Sequence, residues 1–299
     1  MIIQSAEQLR AVTCSYYANN DWERIEQTVR AVQAEVERVI GTAALEWLAS
    51  PEGCVTEAWQ CCAAAIGYMA TMRYSRLNDI SHEDEGRKVK IDRENEARPF
   101  EWQLARDERA HLEEYYRALD RLLMLLEPVE AFHASATWQQ RQQLIVKDAT
   151  CLTWLTGMEE SAWLFHRLVP MLAESQSFVT KAYGEAFSPE EFHTFENTDT
   201  MNYAAQKAVA LGALALMGRR TQLQQLPYGL MTAMESDGGG NSRQQPTTDA
   251  LYSYLKQLSK DQHYWLNEMR RLRDAAAGGT QYSHLQVPEN TPDRKFLRL

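Results

Sequence analysis

From Trp22 the apolar residues fall at Trp22, Ile25, Val29, Val32, Val36 and Val39, in alternating steps of three and four. That spacing puts them on one face of a helix, with Glu23, Arg24, Glu26, Arg30, Glu35 and Glu37 turned to water. The pattern predicts a helix over 21–49, capped by Asn20 and stopped at Ser50-Pro51. A shorter helix is expected at Ser5-Ala6-Glu7-Gln8, which has capping-box spacing. The next segment, 55–77, is apolar almost all round between Cys61 and Met72, so it is expected at the centre of a core. Polar sequence follows from Asn78 to Gly86. Arg87-Lys88-Val89-Lys90-Ile91-Asp92 then alternates as a strand does and is expected to form one arm of a hairpin within an insert over about 78–98. Pro99 marks a helix start. Ala105, Leu112, Leu119 and Leu126 recur every seven residues, beside Trp102, Tyr116 and Leu123, and predict a rod over 99–127 about 40 Å long.

The second half repeats this plan. An amphipathic segment is expected over 140–174, a short capped helix at Ser188-Pro189-Glu190-Glu191, and an apolar helix over 199–219. A polar stretch containing Gly238-Gly239-Gly240 comes next. A heptad helix over 248–275 then carries Leu251, Leu258, Trp265 and Leu272, with Leu255 and Met269 completing its stripe. A shift of 145 lays Gly67 on Gly212 and Met72 on Met217, and a shift of 146 lays the first heptad series on the second. The fold class read here is mainly α, a helical bundle with a small β-hairpin insert and an extended C-terminal arm. Pseudo-duplication and a single irregular helical domain are its two variants. The divisions are 1–130, 131–278 and an arm over 279–299. Ala65, Ile66, Met69, Ala210, Leu214 and Met217 are expected to be nearly inaccessible.

Composition agrees with helix. The 299 residues hold Gly 14 and Pro 9, fewer than a turn-rich β-sandwich needs. A formal charge of −10 disfavours a nucleic-acid binder that relies on net positive charge. The apolar runs at 61–70 and 208–218 are far shorter than the ~20 residues that span a bilayer. No basic-then-apolar leader opens the chain, so a non-secreted, non-membrane product is expected. Cys14, Cys54, Cys61, Cys62 and Cys151 form no CxxC and read as small buried thiols.

Several residues qualify for chemistry. Glu108 with His111, and Glu190 with His193, have the Glu-x-x-His spacing of a carboxylate-bridged di-iron site in a bundle. Against it, Glu108 and His111 are expected on the flank of their helix, and Glu190 lies just after a proline in a short segment. Solvated charge pairs are the preferred reading. His82-Glu83-Asp84-Glu85 could offer oxygen ligands to a hard cation, but lacks the spacing of a calcium loop. Gly238-Gly239-Gly240 has neither the preceding strand nor the following Lys-Ser or Lys-Thr of a phosphate cradle. No nucleophile stands beside a base, so no enzyme activity, cofactor or metal is expected. The tryptophans fit core packing, with a subunit interface as the other use.

Gly278-Gly279 breaks the last helix, and 280–299 has no helical period. Arg294, Lys295, Phe296, Leu297 and Leu299 stand close together there, as an arm that docks on a neighbour would present them. Lys88, Val89, Lys90 and Ile91 could accept an added edge strand, and these nine residues are the candidate interface.

Taken in order, Asn78-Asp79-Ile80-Ser81, Val89-x-Ile91, Arg98-Pro99-Phe100-Glu101-Trp102-Gln103 and Tyr116-x-Ala118-Leu119-x-x-Leu122-Leu123-x-x-Leu126-Glu127 make the chain similar to a known group. It resembles an uncharacterised family of phage and prophage proteins of gut bacteria. The Pro-x-x-Trp-Gln element, Pro99 to Gln103, is the most specific part of the likeness. The resemblance implies a virion structural protein of the head–tail connector (adaptor) kind, found in the virion and, during assembly, in the host cytoplasm. Such adaptors are mainly helical, form homo-oligomeric rings on the portal protein, contact neighbouring tail or connector proteins and let double-stranded DNA pass non-specifically. The competing readings are a cytosolic helical scaffold or binding protein and, further off, a di-metal helical enzyme.

Overall fold

The computed structural model describes residues 1–13, 22–78, 81–83, 86–88, 100–183, 198–220, 223–226, 229–232 and 247–276. The protein is mainly α-helical. In the first half, α1 (Ala6–Thr13), α2 (Trp22–Ile40), α3 (Thr42–Leu48) and α4 (Glu57–Asn78) are followed by strands β1 (Ser81–Glu83) and β2 (Gly86–Lys88), then by α5 (Glu101–Leu126). Short helices α6 (Glu130–His133), α7 (Ala136–Arg141) and α8 (Ala149–Thr156) lead to the second half. There α9 (Ala162–Tyr183) and α10 (Thr198–Arg220) precede strands β3 (Leu223–Leu226) and β4 (Gly229–Thr232), and α11 (Thr248–Ala276) follows.

Each half is therefore a central apolar helix, an antiparallel strand pair and a long helix. Ser81 pairs with Lys88 in one hairpin and Leu223 with Thr232 in the other. Both hairpins leave two residues between their strands, the commonest hairpin length. The sequence expectation centred its strand on Lys88 to Ile91. Lys88 closes β2, while Val89, Lys90 and Ile91 lie outside the described residues. The β3–β4 pair was missed, although Pro227-Tyr228-Gly229 between two apolar ends is a turn signal.

Two apolar clusters form around the central helices. One gathers α1 to α5 around α4, where Cys62, Ala63, Ala65, Ile66 and Ala70 have no exposed surface. The other gathers α8 to α11 around α10, with Ala208, Val209, Ala210 and Ala213 equally enclosed. The expected stripe of α2 is buried at Ile25, Val29, Val32 and Val36, and Ile40 extends it. Of the six residues expected inside, five are buried. Met217 is only half-buried, because it lies in the last two turns of α10 where the helix emerges from its neighbours.

Three further expectations need correction. The helix over 21–49 breaks at Gly41, whose φ of 88° takes the backbone out of the helical region. A Cβ there would stand 3.1 Å from that of Ser135, so the bend also seats the start of α7. The helix expected over 140–174 is three helices. Asp148 caps α8 by accepting from the Cys151 N–H at 2.7 Å, and Gly157 in the left-handed region ends it. Helix α9 then runs through exposed Pro170 as far as Tyr183.

The third correction concerns which face of α5 is inward. The heptad reading placed Ala105 and Trp102 in the stripe, yet both are exposed. The buried positions are His111, Tyr115, Leu119, Leu122, Leu123 and Leu126, so Leu123 of the expected stripe is inward as well. A straight helix has 3.6 residues per turn, so a seven-residue repeat drifts ~20° per heptad. The two readings agree near Leu119 and Leu126 and part company towards the first turns.

The halves are joined at α9. Asp120 of α5 accepts from the Ser161 hydroxyl at 2.6 Å and from the Trp163 N–H at 2.8 Å, so a carboxylate from the first half caps the helix that opens the second.

Candidate functional site

Glu108, one half of the first Glu-x-x-His pair, accepts two hydrogen bonds from Arg76 on α4, from Nε at 2.7 Å and from Nη2. That hydrogen-bonded guanidinium holds the Glu108 carboxyl below its ordinary range. His111 is buried rather than flanking, with Nδ1 2.9 Å from the Asp107 carbonyl oxygen and its ring edge-on to Tyr68. Glu190 and His193 lie outside the described residues. So do Asp84, Glu85, Gly238, Gly239, Gly240 and the arm residues Arg294, Lys295, Phe296, Leu297 and Leu299. Among the described residues no group of three or more His, Cys, Asp and Glu side chains could hold a metal ion. No helix among them is long and apolar enough to cross a membrane.

The described thiols are free. Burial pushes Cys62 up to about 12 and raises Cys61 and Cys151, so each is held in the poorly nucleophilic thiol form.

A cluster of polar and aromatic groups sits at the foot of α5. Arg141 of α7, buried, makes a two-pronged ion pair with Glu127, one prong at 2.6 Å. Its guanidinium lies 3.7 Å over the Trp138 ring, and His133 stacks on the same ring at 3.8 Å. His166 of α9 lines the adjoining cavity, about 20 Å³, which is room for one water and no organic ligand. Burial first, and Arg141 second, push His166 down to about 4. The cluster ties α5, α7 and α9 together and is built as structure.

What the surface offers is aromatic. Phe100 just before α5, and Trp102 and Tyr116 on it, are exposed, Trp102 to 49%. A second group spans three helices of the other half. Trp154 of α8 meets Tyr203 of α10 edge-on at 5.4 Å, Tyr203 meets Trp265 of α11 at 5.3 Å, and Trp265 meets Tyr264 at 5.3 Å. Lys207 fixes the middle of this ladder. Its ammonium donates to the Leu155 carbonyl and lies 5.8 Å from the Tyr203 ring centre. Trp154 is 74% exposed and Tyr264 62%. Large apolar side chains held in a row and open to water are the composition of a contact surface. Sequence reasoning assigned the tryptophans chiefly to core. The signal that separates Trp154 is that it lies two positions after buried Leu152 and directly before buried Leu155, on the opposite side of α8.

Comparison with protein-family models, curated proteins and solved structures finds no match.

Proposed function

We propose that this chain is a structural subunit of a phage particle, a head–tail connector or adaptor that forms a homo-oligomeric ring on the portal and lines the passage for DNA. The observation that carries the reading is the pair of exposed aromatic surfaces, Phe100, Trp102 and Tyr116 on one half and the Trp154–Tyr264 ladder on the other. A ring is built from a heterologous contact, in which one patch on each subunit meets a different patch on the next. Exposed aromatic side chains at two dissimilar places give each subunit different faces to offer its neighbours. The net charge of −10 fits a channel that passes the duplex without gripping its phosphates. In this role the partners are further copies, the portal, neighbouring tail or connector proteins and passing DNA, and the place of action is the virion after assembly in the host cytoplasm.

Mass spectrometry of density-purified particles tests the reading. The chain is expected in the particle at a fixed ratio to the portal protein. Its absence from particles that contain portal and tail proteins would overturn the proposal.

A further inference from the structure

Resting on the reading that copies of this chain assemble with one another, we infer that the aromatic ladder of one subunit is the receptor for residues 288–299 of a second copy. The ladder supplies the geometry. Trp154, Tyr203, Trp265 and Tyr264 follow one another edge to face across α8, α10 and α11, which leaves ring faces and clefts between rings for inserted side chains. Its outer members stand 74% and 62% exposed in the single chain, so the surface is open to a second molecule.

The segment supplies matching chemistry. Phe296, Leu297 and Leu299 are the apolar groups such clefts take, and Arg294, Lys295 and Arg298 add three cations within six positions. Cations are attracted to the faces of Trp and Tyr rings. Carboxylates stand near both ends of the ladder along the chain. Asp261 lies one turn before Trp265 on α11 and accepts from the neutral Gln257 amide at 2.7 Å, while exposed Glu159 and Glu160 follow α8. The chain between Ala276 and Phe296 is long enough to cross to a neighbour, since each extended residue adds up to about 3.5 Å. The contact is heterologous, segment to ladder, so it propagates around a ring.

Two full-length variants test this without any partner protein. Trp154→Ala with Tyr264→Ala removes the exposed ends of the ladder. Phe296→Ala with Leu297→Ala removes the apolar anchor of the arm. Sedimentation velocity on the unaltered chain should show species larger than a dimer that grow with concentration. Each variant alone should sediment as a monomer with its melting temperature kept. A 1:1 mixture of the two should form dimers and nothing larger, because only one competent contact remains per pair. Association left intact in either variant would overturn the inference, and so would a mixture that stays monomeric. If the unaltered chain is itself monomeric while its arm quenches Trp154 in the same molecule, the segment docks on its own ladder and the inference is wrong. Failure of any kind here leaves the virion test unaffected, because a connector can assemble through the α5 patch or on the portal alone.

Discussion

In each half the last turns of the central helix send one arginine back to an earlier helix and one forward to the long helix. In the first, Arg73 grips Glu35 of α2 at 2.7 and 2.8 Å and Arg76 grips Glu108 of α5. In the second, Arg220 grips Glu174 of α9 at 2.8 Å through both nitrogens, but Arg219 reaches the Ser259 hydroxyl of α11 at 2.9 Å. Basic groups there also complement the C-terminal end of the helix dipole. The glycines differ more. A Cβ on Gly67 would stand 2.7 Å from Thr13, 3.1 Å from Val12 and 3.3 Å from Leu9, all on α1. On Gly212 it would meet the Gln262 amide and the Ser175 hydroxyl, at 2.1 and 2.3 Å. The first half thus covers its central helix with an extra apolar helix, and the second with a polar crossing of α9 and α11. One plan is completed by two kinds of contact.

The largest way to break the comparison is a charge in either core. Ile66→Asp and Leu214→Asp should each cost on the order of 5 kcal/mol, because an unpaired buried carboxylate adds to lost packing. Soluble expression should fail for both. Wild-type yield and melting temperature from one of them would show that its central helix is not core.

Acid should act next, through the joint between the halves. His166 has its affinity for a proton lowered from the ordinary 6.5 to about 4 in the folded chain, by burial first and then by Arg141, and it shares a small cavity with Arg141 and the Glu127 carboxylate paired to it. The unfolded chain therefore takes up the proton first. The stability this represents is fully present above about 6.5 and is lost as pH falls towards 4, amounting to at most about 3 kcal/mol. Melting temperatures between pH 7.5 and 4.5 should fall less steeply for His166→Gln than for the unaltered chain. Parallel curves would contradict the account.

The two glycines sharpen the contrast. Alanine gains about 1 kcal/mol of helix propensity at either site. At Gly67 it should still destabilise by about 1–2 kcal/mol, since α1 must shift as a body. At Gly212 the loss should be smaller, under about 1 kcal/mol, because Gln262 can swing its amide away from a weak 3.4 Å bond to Ser175 and the Ser175 hydroxyl can turn aside. Chemical denaturation that reverses this order would show that the polar crossing is the stiffer of the two. The smallest effect belongs to Asp120→Ala, which removes the cap of α9. It should cost roughly 1 kcal/mol and broaden the thermal transition as the halves lose their link. An unchanged, single sharp transition would show that the Arg141 cluster alone joins them.

Much of the fold was legible in the sequence because apolar spacing is a local property. The stripe of α2, the all-apolar α4 and α10 and the two long helices follow from it. Where helices stop was harder. Gly41 and Gly157 were visible as residues, but the close approach to Ser135 that makes Gly41 a bend is a tertiary fact. The inward face of α5 was misread by assuming seven-residue repeats, which a straight helix does not keep. Surface function was least legible. Trp154 and Leu155 are adjacent and both apolar, and the sole local sign that the leucine is enclosed while the tryptophan faces water is the place of Leu152 on the leucine's side of α8.

Electron microscopy of the purified chain, alone and mixed with the portal protein of the same phage, tests the central claim most directly. The account predicts rings of this subunit seated on the portal, with a continuous central opening wide enough for duplex DNA. A chain that stays monomeric or dimeric at every concentration and leaves the portal bare would contradict it.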